Sequence, residues 1–502
     1  MSGATLLRPQ WIVGFTGHRH LQNEKRIAQI LDDTIESIRH EIDGDLVGRS
    51  SVAIGGDILF AEACLKAGIK WIGLLPLPEG DFKKDFSAPD WNRAEVLLRQ
   101  AASVETLDAA KNRGDAYLEC GLCTVEEADL MIAVWDGAPS RGPGGTAEVV
   151  AYARLLMKPL ILIHPESAAV TRERFSDDSF SDSEIDYLNG LTRKENGQVV
   201  AEKSEDHLKR FLSKVDAAAS RMAPKFRLRV AASIIMNGSA AVLGAATIGF
   251  NLHSKIINAL IFVLVAGAML CMAYIKRKNA HRNWLRCRIA AEICRSALAT
   301  WDLGVSAVPS WFSHLQEFSR LGKSILLMRL EPGPRPIADV AEYRRSYLAL
   351  RIDSQLDYFR ARSRKLRTAA GILKASFWIC SALAIARAIF VMVVGVPPSF
   401  HPVLARTLQT FLPIALPLAA GYLLSLISVF DLNRQLARSR AMEQQLQIAK
   451  VQVETCENLI TLEHVVHNTE NAFAGELLEW FTISKSLSDK PSSTAQPTMS
   501  QW

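Results

Sequence analysis

Three clusters near the start of this 502-residue chain hold the residue types that grip a phosphate. They are Gly14-Phe-Thr16-Gly17-His18-Arg19, Gly55-Gly56-Asp57 and Pro143-Gly144-Gly145-Thr146-Ala147-Glu148. Glycine lets backbone amides come close to an anion, and a helix starting there adds the positive end of its dipole. Arg19 offers a two-pronged hydrogen-bond fork, with His18 beside it. Asp57 and Glu148 suit ribose hydroxyls or proton transfer. The candidate ligand-binding set is therefore Thr16, Gly17, His18, Arg19, Gly55, Gly56, Asp57, Gly144, Gly145, Thr146 and Glu148. No residue is assigned a catalytic or metal role. Each cluster also has an ordinary reading: tight turns for the glycines, an N-cap for Thr146, a partner of the helix dipole for Glu148. A pocket is favoured because all three, and Trp135-Asp136-Gly137 too, fall where apolar runs hand over to helical patterns.

Those runs alternate regularly. Trp11–Phe15, Ser51–Ile54, Trp71–Leu75, Leu130–Val134 and Leu160–Ile163 predict strands. Leu21–Ile42, Leu59–Ala67, Arg93–Ala102, Ala116–Glu127 and Thr146–Met157 predict helices, the first with Ile27, Ile30, Leu31, Ile35 and Ile38 on one face. The order implies an α/β, Rossmann-like domain: a parallel sheet covered on both faces, with ligands at the strand ends. Eight cysteines are scattered, and only Cys120-Gly-Leu-Cys123 has metal-like spacing. It lacks a second pair, so reduced thiols are expected.

Four long apolar segments follow: Ala231–Phe250, Ile256–Ile275, Ile372–Val396 and Leu408–Phe430. A bilayer core takes about 20 apolar residues per helix, so each is a membrane-span candidate. The mean hydropathy of +0.09 averages these spans with charged soluble parts. The net charge of +6 is informative only by position. Arg and Lys crowd the outer flanks (Arg221–Arg229, Lys276–Arg288, Arg360–Arg367, Arg434–Arg440) and nearly vanish from the loops Asn251–Lys255 and Pro397–Thr407. The positive-inside rule then makes two hairpins that leave and re-enter the cytoplasmic face, with all soluble parts cytoplasmic.

Within the spans, Ala241, Ala245 and Gly249 form a small-residue stripe, Asn237 is a candidate interhelical partner, and Pro413 and Pro417 should kink the fourth span. Arg387 is costly in lipid and should face protein, water or the interface. Long helices flank the second hairpin at Tyr343–Arg367 and Asp431–Trp480. The stripe Leu436, Leu446, Val453, Ile460 and Val466 on the latter suits packing within the chain or in a homo-oligomer. Glu166–Ser204 is expected to be a solvated linker, Glu331–Pro336 a hinge or tight turn and Lys485–Trp502 a disordered tail.

The motifs Val-Gly-Phe-Thr-Gly-His-Arg, Gly-Gly-Asp, Trp-Asp-Gly and Pro-Gly-Gly-Thr-Ala-Glu resemble those of the SLOG superfamily, which contains DprA and the Lonely Guy phosphoribohydrolases. The resemblance implies recognition of nucleotides or nucleotide-derived signals. The Lonely Guy motif is shortened here, and Val149 replaces its second acid, which favours binding over hydrolysis. The second hairpin, with Tyr347–Arg364 leading in and Glu470–Trp480 closing it, resembles the SLATT family, and Arg288–Arg295 looks like a partial copy. That resemblance implies a pore-forming effector of bacterial antiphage defence. The expected organisation is a SLOG-like domain at 1–165, a linker at 166–220, a first hairpin with its helix at 221–330, a connector at 331–342, a SLATT-like region at 343–484 and a tail at 485–502. The expected function is an inner-membrane effector gated by a second messenger, a cyclic oligonucleotide or ADP-ribose derivative, with no other cofactor. Its expected partners are that nucleotide, the bilayer, further copies of the chain, and a nucleotide cyclase or TIR-type synthase supplying the signal. The alternative is a membrane-tethered nucleotide hydrolase.

Overall fold

The computed structural model describes residues 7–107, 112–140, 142, 144–175, 180–192, 204–252, 254–277, 280–303, 318–330, 339–397 and 399–488, with backbone alone at 192, 223–227, 280–281, 476 and 478–488. The hinge Glu331–Pro336, residues 176–179 and 193–203 of the expected linker and the tail from 489 lie outside the described residues. The chain forms two compact units, Met1–Ser213 with Ile293–Pro336, and Lys214–Glu292 with Ile337–Trp502.

The first unit is a seven-stranded sheet in the order β4-β3-β2-β1-β5-β6-β7. Its strands are β1 (Gln10–Gly17), β2 (Asp45–Ser50), β3 (Lys70–Leu75), β4 (Ser103–Thr106), β5 (Leu130–Val134), β6 (Leu160–Ile163) and β7 (Val170–Glu173). All neighbours pair in parallel except β6 and β7. The connecting helices are α1 (Glu24–Glu41), α2 (Gly56–Lys66), the short α3 (Glu79–Phe82), α4 (Ala88–Gln100), α5 (Arg113–Glu127) and α6 (Thr146–Leu155). Apolar side chains of α1, α2 and α4 (Ile27, Leu31, Phe60, Trp91) share one core with Val13 and Phe15. Val125 of α5 and Val149 of α6 share the other with Ile12, Val47 and Met131. The alternation of β1 thus divides its residues between two cores, the double burial expected of a parallel strand.

Several elements of this unit were not legible in the sequence. The expected strand Ser51–Ile54 is loop, and the second strand lies just before it at Asp45–Ser50. Edge strands β4 and β7 are short, and β7 lies inside the stretch expected to be a linker, which also holds α7 (Ser183–Thr192). In addition, α11 (Ser319–Met328), expected beside the first hairpin, closes the amino ends of the strands. Gln10 N donates to Ser324 Oγ at 2.9 Å, Arg320 pairs with Asp129 at 2.6 Å, and Lys70 Nζ reaches the carbonyls of Leu327 and Met328 at 3.3 Å. Buried Arg329 caps the end of α10 (Ala280–Ala299) through the carbonyls of Thr300, Trp301 and Leu303.

The second unit is helical. Among the described residues four helices are long and apolar enough to cross a membrane: Leu228–Phe250 at the end of α8 (Ser204–Phe250), α9 (Lys255–Arg277), the stretch Val340–Val393, and Pro402–Thr455. Val340–Val393 comprises α12 (Val340–Tyr347), a π-helical turn at Leu348–Asp353 and α13 (Ser354–Val393). Pro402–Thr455 comprises α14 (Pro402–Arg406), a second π turn at Thr407–Phe411, α15 (Leu412–Val429) and α16 (Leu432–Thr455), and α17 (Leu459–Ser488) follows. The helix α8 runs without a break from Ser204 through the first span. The most apolar window of the third span is 0% buried, so these segments are not the interior of a soluble core.

The spans meet through small residues and backbone. A side chain on Gly249 would press on Phe411 at about 3 Å, and Ala245 is buried. The Asn237 carbonyl, rather than its side chain, accepts the Tyr422 hydroxyl at 3.3 Å. Arg387 Nε donates to the Leu408 carbonyl at 2.6 Å, inside the π turn that precedes Pro413. A π turn shifts the hydrogen-bond pattern by one residue and leaves a carbonyl available, so the two irregularities compensate each other. The helix expected over Asp431–Trp480 breaks at Cys456–Asn458, which resets its phase. Leu446, Val453 and Val466 are buried, but Ile460, just past the break, is 69% exposed. Packing is intramolecular: Lys450 pairs with Asp353 at 2.7 Å and Arg360 with Glu443 at 3.4 Å.

Candidate functional site

The sheet reverses direction at β1: the chain steps outward through β2, β3 and β4, then returns to the other side at β5. Since α1 and α6 leave β1 and β5 on opposite faces, their carboxyl ends diverge and open a crevice, the usual ligand position in such sheets. The Thr16–Arg19 turn and the Trp135-Asp136-Gly137 turn lie at that crevice. Gly17 is in register with Val134, and His18 N donates to the Val134 carbonyl at 3.2 Å.

The second cluster seats directly on the first. Gly56 N donates to the His18 carbonyl at 3.1 Å, and Gly55 has φ +91°. A Cβ at Gly55 would fall 2.4 Å from the Arg19 carbonyl oxygen, so both conformation and space demand glycine there. This turn starts α2 and buries Asp57, which is 7% exposed. Burial pushes the Asp57 carboxyl up to about 7, against the opposing pull of the Arg19 charge.

The third cluster reaches the same place through α5. Gly144 has φ +77°, and a Cβ there would strike the backbone at Tyr117 and Leu118 at 2.7–2.8 Å. The Tyr117 ring lies under the Arg19 guanidinium at 4.9 Å. One turn of α5 therefore supports both the arginine and the glycine loop. The Tyr117 hydroxyl bonds to Asp85, which also pairs with Arg113 at 2.6 Å. Burial acts to raise Asp85, but hydrogen bonds from Arg113 and Tyr117 outweigh it and hold the carboxyl below its usual range. Glu148 turns back on its own loop, its Oε2 accepting from Gly144 N at 2.7 Å. Gly145, not Thr146, is the N-cap of α6, and Thr146 is a buried first helical residue. The first amides of a helix have no acceptor within it, so α6 presents its positive end at this edge.

The structure thus gathers all three predicted clusters, with Arg19 exposed at the mouth, Asp57 beneath it and Glu148 bracing the loop. Sequence reasoning missed Tyr117, whose ring lies under Arg19, and Asp85 and Arg113, which brace the Tyr117 hydroxyl and each other. It also missed Asp136, although Trp135-Asp136-Gly137 was visible. His18 Nε2 lies 3.2 Å from both the amide and the carboxylate of Asp136. The neutral imidazole can accept from the amide, and the protonated one can donate to the carboxylate. Backbone bonding from Ala138 first, and His18 to a lesser degree, hold the Asp136 carboxyl below its usual range. Buried Arg49 pairs with Glu105 at 2.7 Å, while its Nε has no partner among the described residues. Burial raises the Cys120 thiol, which bonds to the Leu74 carbonyl. Among the described residues no group of three or more His, Cys, Asp or Glu is placed to hold a metal ion.

The helical unit has a polar centre of its own. Arg351, on the π turn, donates to Glu470 through Nε at 2.9 Å and Nη2 at 2.7 Å, and Nη2 also meets Glu292 at 2.7 Å. Tyr347 adds a hydrogen bond to Glu470 at 2.9 Å. All four are buried, so Arg351 clasps α10, the lead-in to the third span and α17 in one cluster.

These features define a membrane-spanning protein with a doubly wound sheet domain. Residues 210–367 match the family model of the SMODS and SLOG-associating 2TM effector domain 3. The matched segment holds the first hairpin, α10 with Glu292 and the lead-in helix with Arg351, and it ends within the third long helix, Val340–Val393. It begins earlier than the expected SLATT-like region and shares residues 343–367 with it. The match starts at 210, leaving the sheet domain unassigned. No curated protein matches the chain.

Proposed function

We propose that the chain is a ligand-gated membrane effector. A nucleotide-derived messenger binds at the carboxyl edge of the sheet, and the bound state is relayed to the spans of the inner membrane, which open or disrupt it. The observation that carries this reading is the convergence of three clusters: Gly55 and Gly56 seat on the backbone of His18 and Arg19, and Arg19 and Gly144 meet the same turn of α5, in a chain whose residues 210–367 match a SMODS and SLOG-associating effector domain. Arg19 would take a phosphate with the opening of α6, and Asp57 a ligand hydroxyl or ring nitrogen. The chain passes between the two units within α8 and α10, so covalent helices link messenger site and spans. A ligand shifts this system only if it binds one arrangement better than the other. Self-association of the spans, and a cyclase or TIR-type synthase supplying a cyclic oligonucleotide or ADP-ribose derivative, complete the proposal.

The test is dye release from liposomes carrying the full chain, challenged with cyclic di- and trinucleotides and ADP-ribose derivatives. One class should trigger release, and Arg19→Ala should abolish the response while insertion is kept. Release with the same ligand dependence in Arg19→Ala would overturn the site. Asp57 favours one second reading, because a carboxyl near neutrality can exchange protons in a nucleotide hydrolase. Turnover of nucleoside monophosphates lost in Asp57→Asn would select that reading.

A further inference from the structure

A cleft of about 630 Å³, counting its open mouth, lies within the helical unit between α10, α13 and α17. Its walls are aromatic (Trp284, Tyr358, Phe359 and Phe473), and Arg288 and Arg362 line it. Glu292, the carboxylate that lines it, is occupied by Arg351, which also holds Glu470. Arg288 lies one helical turn from Glu292 yet makes no ion pair or hydrogen bond to it among the described residues. Arg362 meets the Tyr358 hydroxyl at 3.5 Å and Gln435 at 3.4 Å. The cleft therefore combines the Arg288 guanidinium with flat apolar walls. Guanidinium forks match phosphate oxygens, and aromatic faces accept a ring or a hydrocarbon stem.

We propose that this cleft is a second binding site, for a phosphate ester with an apolar or aromatic flank. Arg288 and Arg362 take the phosphate, and Trp284 and Phe473 pack on the flank. Two sources carry this chemistry. Arg362 precedes the apolar segment starting at Ile372 by about ten residues, or about 15 Å of helix, close enough for an anionic lipid headgroup. A soluble nucleotide is the other source. The proposal does not rest on the reading of the sheet domain.

The experiment uses the full chain carrying Arg19→Ala, so that the proposed sheet site does not contribute. In one arm the protein is released from nanodiscs of phosphatidylglycerol and phosphatidylcholine, and native mass spectrometry reads retained phosphatidylglycerol. In the other, AMP is titrated into phosphatidylcholine nanodiscs, and saturable tryptophan quenching is compared with a Trp284→Phe version. Binding in either arm, weakened at least tenfold by Arg288→Ala and partly restored in Arg288→Lys, is the expected result and names the source. Arg362→Ala should weaken the same arm, which keeps the test decisive if Arg288→Ala fails to insert. Absence of binding in both arms, or binding unchanged by both alanine variants, overturns the proposal.

Discussion

In the sheet unit Trp71, Phe60 and Phe82 are fully buried, whereas in the helical unit Met392, Phe262 and Trp378 stand 78%, 71% and 69% exposed. Charge shows the opposite trend. The sheet unit gathers Arg19, Asp85, Arg113 and Asp136 at an open edge, while the helical unit buries Arg351, Glu292 and Glu470. The difference tells which solvent each surface was selected for. Apolar side chains gain by leaving water, so an apolar belt left outside is stable only against lipid. The buried cluster of the helical unit joins α10, the lead-in to the third span and α17, where apolar packing alone would leave the partners of α10 and α17 poorly specified. A charge cluster adds geometric selectivity at a desolvation cost.

Removing one member is the strongest way to break this comparison. Arg351→Ala strands two buried carboxylates and should cost about 3–5 kcal/mol. Denaturant unfolding of the detergent-solubilised chain, with hydrogen exchange of α10 and α17 as the local probe, checks it. A variant as stable as wild type would mean that the cluster is wet and its burial in this arrangement transient.

The corresponding test of the sheet unit is a pH dependence. The Asp57 carboxyl sits near 7 when folded, above its ordinary value of 3.8. Below about pH 4 it is protonated in both states and costs nothing. Between about pH 4 and 7 the unfolded chain ionises while the folded one holds its proton, so wild type loses about 1.4 kcal/mol per pH unit relative to Asp57→Asn. Hydrogen exchange of β1 and α2 amides across that range reads the difference. A gap between the two proteins that stays constant with pH would show that Asp57 ionises normally.

Smaller effects sharpen the picture. Gly55→Ala forces a side chain into a left-handed turn and against the Arg19 carbonyl, and should cost about 1–3 kcal/mol with loss of the Arg19 geometry. A crystal structure or exchange map that is unchanged would contradict this. Arg387→Leu should cost about 1 kcal/mol, since it swaps one interhelical hydrogen bond for an apolar side chain that lipid accepts. Steric-trap unfolding in bicelles measures it, and a stabilised variant would point to a role for Arg387 outside packing.

Much of the site was legible because its chemistry is local. Gly14-Phe-Thr-Gly17 closing β1, Gly-Gly-Asp and Gly-Gly-Thr each mark one joint, and the alternation of apolar runs placed those joints on one edge. Tyr117, Asp85 and Arg113 were not legible, since an arginine's aromatic support leaves no trace in its own neighbourhood. The linker hid β7 for a similar reason: an exposed four-residue edge strand has little apolar pattern to display. Ile460 was misplaced because three residues, Cys456–Asn458, reset a helical phase that looked continuous.

Composition and order alone determined the parallel sheet, the four spans and their hairpin pairing, because apolar periodicity, span length and flanking charge are properties of short windows. Tertiary structure decided that α11 closes the sheet, that Glu148 braces its own loop, that Arg387 answers the carbonyl of Leu408 and that Arg351 joins Glu292 to Glu470. Each of these joins a side chain to a partner whose position depends on the folding of everything between them, and no local pattern encodes that distance.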